Sequence, residues 1–179
     1  VYSASGIALG SVLIPVLNGY HFEPSQMVIT RENQNVEFTA YKTYTVTGTA
    51  LSGSNTISGV TVKVNGDAIT TTNSAGQFTI SGLWGDNILN FSHSVFKFNS
   101  VEVSDAQNLE LNGTFTLTGY VYTGISPVSE VYVSSGAVSS MTDTSGKFSL
   151  NGISLGATVT FQKDGYIIDT LQITDTTVQ

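Results

Sequence analysis

Residues 142–166 read T-D-T-S-G-K-F-S-L-N-G-I-S-L-G-A-T-V-T-F-Q-K-D-G-Y, and this stretch decides the fold. Asp143 and Gly146 have the chemistry of a tight turn: an Asx side chain that accepts from the backbone two residues on, and a glycine for the left-handed position. Phe148 and Leu150 then alternate as the inward face of a strand. Gly152 and Gly156 bracket a second turn, and a further strand runs on toward Gly165-Tyr166.

The same string recurs along the chain, and self-similarity at a fixed period marks a repeat architecture. Residues 6–10 (G-I-A-L-G) followed by Gly19-Tyr20 match Gly152-Ile-Ser-Leu-Gly156 followed by Gly165-Tyr166 without a gap. That alignment sets Tyr2 in the place of Phe148 and predicts a strand from Tyr2 to Ser5. In the middle of the chain, Asn73-Ser-Ala-Gly76-Gln-Phe78-Thr-Ile80 aligns with Asp143-Thr-Ser-Gly146-Lys-Phe148-Ser-Leu150. Tyr44-Thr-Val-Thr-Gly48 aligns with Phe115-Thr-Leu-Thr-Gly119. Asn35-Val-Glu-Phe38 aligns with Asn108-Leu-Glu-Leu111 and marks the closing strand of a copy. The period of about 70 residues is that of a small domain rather than a solenoid turn. The reading is therefore a partial copy over 1–40, a complete copy over 41–113, and a copy over 114–179 that lacks its last strand. The ends suggest a window from a longer array, or subunits that exchange strands to complete one another.

Strand signals follow in order. Residues 12–17, 27–30 and 36–40 read as strands of the first copy, with residues 19–25 forming a bend at Pro24. In the second, Tyr44, Val46, Gly48 and Ala50 share one face and Val60, Val62 and Val64 point inward. Asn65-Gly66 then makes a two-residue hairpin turn, because both central positions of a type I′ turn need positive φ. Strands are expected at 68–72, 77–81, 88–92, 95–98, 101–104 and 109–111. In the third, Phe115, Leu117, Gly119 and Val121 face in, Val131 and Val133 follow, and Ser135-Gly136 takes the turn. Short strands with turn signals every 8–12 residues and no helical period predict an all-β chain of tandem Greek-key sandwiches.

Composition narrows the function classes. The 179 residues contain no cysteine, so neither disulfides nor thiolate chemistry enters. The longest apolar stretch, residues 12–17, contains Pro15 and is far short of the ~18 residues a spanning helix needs. Charged residues are 11% of the chain, against roughly 25% in ordinary domains. Ser and Thr supply about a quarter of it. A formal net charge of −7 disfavours nucleic acid and anionic membrane, which need a basic footprint.

The pattern T-x-T-(D/N)-x-x-G-x-F-x-(I/L)-x-G-(I/L), closed by G-Y, resembles the carboxypeptidase regulatory-like domain family. That family has the transthyretin (prealbumin-like, Ig-like) sandwich and is related to the collagen-adhesin B-type repeats. The best matches are residues 142–148 and 152–166, and Gly19-Tyr-His-Phe-Glu-Pro-Ser25 looks like the ending of a copy in bacterial tandem arrays. The middle copy departs from the pattern with Asn73 for Asp and Val95-Phe96 for Gly-Tyr. The resemblance implies a non-catalytic spacer or adhesion module of a secreted or cell-surface protein, with no catalytic residues.

Other motifs have simpler structural readings. Gly152-Ile-Ser154-Leu-Gly156 matches the G-x-S-x-G elbow, but that needs a following helix and a later His, and no His follows residue 154. Asn73 to Gly76 and Asp143 to Gly146 each offer one Asx, too few oxygens for a calcium loop, so they read as turns. His21 and His93 lack partners for zinc, and no metal or other cofactor is expected. Trp84, with the stripe Tyr120, Tyr122 and Tyr132, fits either a sugar-stacking surface or, preferably, a seam between domains. The adhesin relation makes Lys42 and Asn112 the positional candidates for an isopeptide bond. Asn90-Phe-Ser92 and Asn112-Gly-Thr114 are glycosylation sequons for a suitable secretory route. The functional expectation is an extracellular structural or adhesive module whose partners are neighbouring repeats or subunits. The alternative is a carbohydrate-binding accessory domain that takes surface polysaccharide.

Overall fold

The computed structural model describes residues 5–176, so the strand expected at Tyr2 lies outside the described residues. Every regular element within them is a strand, and the described residues contain no helix. The chain is all-β, with its sheets packed as sandwiches.

The central sandwich is built on the strand Tyr44–Ser52. Its even-numbered residues face in: Val46 and Ala50 are fully buried, while the intervening threonines lie outward. Gln77–Leu83 pairs with it antiparallel on one side and Gln107–Asn112 pairs with it parallel on the other. The facing sheet runs in the order Val101–Val103, Asn87–Ser92, Thr61–Val64, Asp67–Thr71. Val62, Leu89 and Val103 fill the space between the sheets, and the Phe78 ring meets Phe91 at 6.0 Å. Gly48 is required here, because a Cβ on it would lie 2.5 Å from the Phe78 ring. Asn65 and Gly66, at φ 50° and 103°, make the two-residue turn that sets the register of Val64 opposite Asp67.

The C-terminal sandwich uses the same devices. Phe115–Tyr120 pairs antiparallel with Lys147–Ile153, and Gly119 faces Phe148 as Gly48 faces Phe78. Its other sheet is ordered Val138–Met141, Tyr132–Ser135, Thr158–Gln162, Leu171–Gln172. The two sandwiches differ at one edge. Among the described residues no strand covers Phe115–Tyr120 on the side where Gln107–Asn112 covers Tyr44–Ser52.

The N-terminal part consists of two ladders, Val12–Leu13 with Met27–Val28 and Tyr20–Glu23 with Thr39–Lys42. Its backbone bonds match those of the C-terminal sandwich at corresponding residues. Gly10 N–H donates to Ile29 O at 2.7 Å, as Gly156 does to Ile173 O at 2.7 Å. Ser11 N–H reaches Ala8 O and Ala157 N–H reaches Ser154 O, both at 3.2 Å. Tyr20 N–H reaches Leu17 O and Tyr166 N–H reaches Lys163 O, again both at 3.2 Å.

Several strand expectations are corrected. The strand at 12–17 stops at Leu13, because Pro15 has no N–H for a ladder. Residues 20–23 of the expected bend form a strand that ends just before Pro24. The strand expected at 36–40 lies at Thr39–Lys42, so it crosses the boundary expected at residue 40. Residues 95–98 make only the bridge Lys97 to Thr114. Their apolar content serves the joint between sandwiches: Phe96 meets Phe115 edge-on at 5.9 Å. The turn read as Ser135-Gly136 is Gly136-Ala137, since Ser135 pairs with Val138. Gly136 at φ 56° then sits first in the loop, as a type II′ turn requires. Gly152 lies within the strand Lys147–Ile153 rather than opening the next turn.

Candidate functional site

The central sandwich brings its first and last strands together. Gln107–Asn112 lies parallel to Tyr44–Ser52 over six register pairs, from Gln107 opposite Val46 to Asn112 opposite Leu51. Leu111 is buried in the seam and Leu109 packs against the core. On the outer face the Thr47 hydroxyl donates to Asn108 Oδ1 at 2.9 Å.

A polar knot ties the base of this clamp. The Tyr44 hydroxyl lies 2.8 Å from Gly85 O and 3.1 Å from Val103 O, and accepts from Asn87 Nδ2 at 2.9 Å. Asn87 is buried, and its Oδ1 accepts from Asn65 Nδ2 at 2.9 Å. Four separate segments are thereby joined. Sequence reasoning passed over Tyr44 and Asn87 because the C-terminal sandwich has Phe115 at the Tyr44 position, so the repeat pattern does not mark it.

Each Asx turn is anchored by the threonine before it. Thr72 and Thr142 are buried, with 4% exposure each. The Thr72 hydroxyl donates to Ile57 O at 2.8 Å and accepts from Val60 N–H at 3.0 Å. Thr142 does the same with Val128 O at 2.7 Å and Val131 N–H at 2.9 Å. Asn73 Oδ1 accepts from the N–H groups of Ala75 and Gln77, both at 2.9 Å. Asp143 Oδ1 accepts from Ser145 N–H at 2.8 Å, Ser145 Oγ at 2.6 Å and Lys147 N–H at 3.0 Å. The Ser145 hydroxyl foremost, then the Lys147 N–H, hold the Asp143 carboxyl below its ordinary range. Gly76 and Gly146 have φ of 71° and 77°, and a Cβ on either would strike a carbonyl oxygen, Ala50 O at 2.6 Å or Val121 O at 2.5 Å.

The aromatic residues divide into separate places. Trp84 is half-buried, stacked on His21 at 4.1 Å and 7° and leaning on Tyr41 at 5.0 Å. It therefore packs against the ladder of Tyr20–Glu23 with Thr39–Lys42. Tyr120 and Tyr122 are exposed neighbours with ring centroids 6.0 Å apart at 22°. Tyr132 is exposed on the other sheet, opposite Met141 and Gln162.

The remaining candidates stay apart. Ser154 lies in a turn between the strands Lys147–Ile153 and Thr158–Gln162. That turn packs on the central sandwich, where Leu155 N–H donates to the buried Ser52 hydroxyl at 3.0 Å. His93 Nδ1 accepts from Val95 N–H at 3.1 Å. Lys42 and Asn112 are both exposed and lie in different sheets. Asn90 and Asn112 are exposed on strands. No group of three or more His, Cys, Asp or Glu residues suited to a metal occurs among the described residues.

No family model and no curated protein matches the chain. Among solved structures it is similar to one described as "The Bacillus anthracis TIE protein", with 13% identity and a TM-score of 0.34. The match covers 90% of this chain and 38% of that one, so the chain spans well under half the length of that structure.

Proposed function

We propose that this chain is a non-catalytic, force-transmitting segment of an extracellular stalk or filament, made of β-sandwich repeats in tandem. The observation that carries this reading is the parallel pairing of Tyr44–Ser52 with Gln107–Asn112. The chain enters the central sandwich through the first of these strands and leaves through the second. Tension along the chain pulls two parallel neighbours in opposite directions. Their ladder is then loaded in shear, and its bonds resist together instead of opening one at a time. The matched backbone bonds of residues 8–29 and 154–173 support common descent of the copies. The low charge and Thr-rich faces suit a secreted surface protein.

The test is to pull the full chain by its ends in a single-molecule instrument. The proposal expects an unfolding step that releases roughly 230 Å of chain for segment 44–112. Smooth extension without that step would refute it. A second reading, carbohydrate binding, rests on the exposed Tyr120–Tyr122 pair, whose rings offer a stacking surface. Glycan-array binding lost in Tyr120→Ala and kept in Trp84→Ala would support it.

A further inference from the structure

We propose that His93 is a proton-sensitive pin on the joint between the central and C-terminal sandwiches. The neutral ring holds the joint closed, and mild acid releases it.

The internal repeat shows what His93 replaces. In the N-terminal part, Tyr20 N–H closes a turn onto Leu17 O, with Gly19 at φ 79°. In the C-terminal sandwich, Tyr166 N–H closes the same turn onto Lys163 O, with Gly165 at φ 80°. The corresponding residues of the central sandwich are His93, Val95 and Phe96. Positive φ is costly for a β-branched residue, and Val95 does not adopt it. The imidazole supplies the acceptor instead. Its Nδ1 takes Val95 N–H at 3.1 Å and Phe96 N–H at 3.3 Å. A nitrogen facing two donors carries no proton of its own, so the proton of the neutral ring is on Nε2.

The altered turn redirects an aromatic side chain. Tyr20 and Tyr166 are 42% and 44% exposed, whereas Phe96 is 9% exposed. The His93 ring meets Phe96 at 5.4 Å, and Phe96 in turn meets Phe115 of the C-terminal sandwich edge-on. The next residue continues the joint. Lys97 N–H donates to Thr114 O at 2.7 Å, and Thr114 N–H donates to Lys97 O at 3.0 Å. His93 thus fixes the loop by which one sandwich grips the other.

Protonation reverses the role of Nδ1. It becomes a donor facing two donors, and the part-buried Phe96 N–H loses its acceptor. Imidazole is the side chain that ordinarily changes charge between about pH 5 and 8. The surroundings offer no compensation. Gly59, Thr61, Ser92 and Ser94 line the hollow beside the ring, and Phe96 packs on it. The charged groups on the adjoining strand and loop are Lys63, opposite Asn90, and Lys97, both cations. None of these is a carboxylate that could hold a charged ring in place. The closed joint accepts only the neutral ring, so it is complete at neutral pH and is lost as pH falls through the imidazole range. Each sandwich stays folded while the grip between them loosens. This goes beyond the stalk reading and is measured without load, so either can fail alone.

Amide exchange of the intact chain is followed by NMR at about pH 7.5 and about pH 5, with each rate corrected for the intrinsic effect of pH. Protection of Lys97 and Thr114 should fall roughly tenfold in acid, while the amides of Tyr44–Ser52 keep theirs. His93→Asn offers a side-chain oxygen to the same N–H groups but does not titrate, so it should remove the response. His21→Gln, at the chain's other histidine, should leave it intact. Imidazole nitrogen shifts of the parent chain need no variant. They should show His93 protonated on Nε2 at neutral pH and titrating together with the Val95 and Phe96 amides. Protection indifferent to pH, a response that survives His93→Asn, or a proton on Nδ1 at neutral pH would overturn the proposal.

Discussion

Replacing Thr72 by valine isolates one buried hydroxyl with almost no change of shape. Thr72 is 4% exposed, and its hydroxyl is the partner of Ile57 O and Val60 N–H, at 2.8 and 3.0 Å. Both residues are themselves buried, so water cannot readily replace the lost partner. Each stranded polar group costs about 1–3 kcal/mol, and two on one side chain sum to about 3 kcal/mol with some relaxation. A domain of this size has only roughly 4–10 kcal/mol of stability, so the loss is a large share. The assay is urea unfolding followed by fluorescence of Trp84, the one tryptophan, which lies in this sandwich. With a slope of about 1–1.5 kcal/mol per molar, the midpoint should fall by about 2 M or more. Thr72→Ser keeps the hydroxyl, loses only a methyl, and should cost about 1 kcal/mol. The order is the decisive result. If serine proves more damaging than valine, burial of the methyl governs this position and the hydrogen-bond reasoning is wrong.

Three further outcomes are expected. Asp143→Asn should be less stable than the parent at neutral pH, because a charged acceptor is replaced by a neutral one. The folded carboxyl titrates below its ordinary value of 3.8, so this advantage is full above that value and fades as pH falls through the folded value. Chemical denaturation of both forms should converge in acid, and a constant offset would contradict the turn account. Gly146→Ala should cost at least about 2 kcal/mol by melting, since left-handed strain adds to the clash with Val121 O. Gly124→Ala, with φ of 60° and nothing within 4 Å of its Cβ, should cost only about 1 kcal/mol. Trp84→Ala should loosen the ladder of Tyr20–Glu23 with Thr39–Lys42 by about 1–2 kcal/mol, seen as faster amide exchange over Tyr20–Glu23.

Legibility in the sequence followed how local the signal was. Period-2 alternation in Tyr44–Ser52 and the Asn65-Gly66 turn specify themselves within a few residues, and both stand where the pattern put them. Residues 95–98 carry the same alternation, yet Phe96 packs on Phe115 in the joint between sandwiches, which no local window can reveal. The Tyr44–Asn87 knot joins residues 43 positions apart and has no counterpart in the C-terminal sandwich. The cover of Trp84, His21 and Tyr41, comes from segments distant in sequence, so no local window names it. The parallel closing strand was legible as a repeated N-φ-E-φ string, whereas its direction relative to Tyr44–Ser52 was visible only in the fold.

The central claim is that the terminal strands of segment 44–112 resist tension in shear. Pulling direction tests it. Handles on Lys42→Cys and Asn112→Cys load the two strands in opposite directions along their length. Handles on Lys42→Cys and Ala106→Cys pull from the same end and peel them apart one bond at a time. All three positions are exposed, so the fold should be unaffected. The account predicts a rupture force several-fold higher for the first pair, and equal forces, or a higher force for the second, would contradict it.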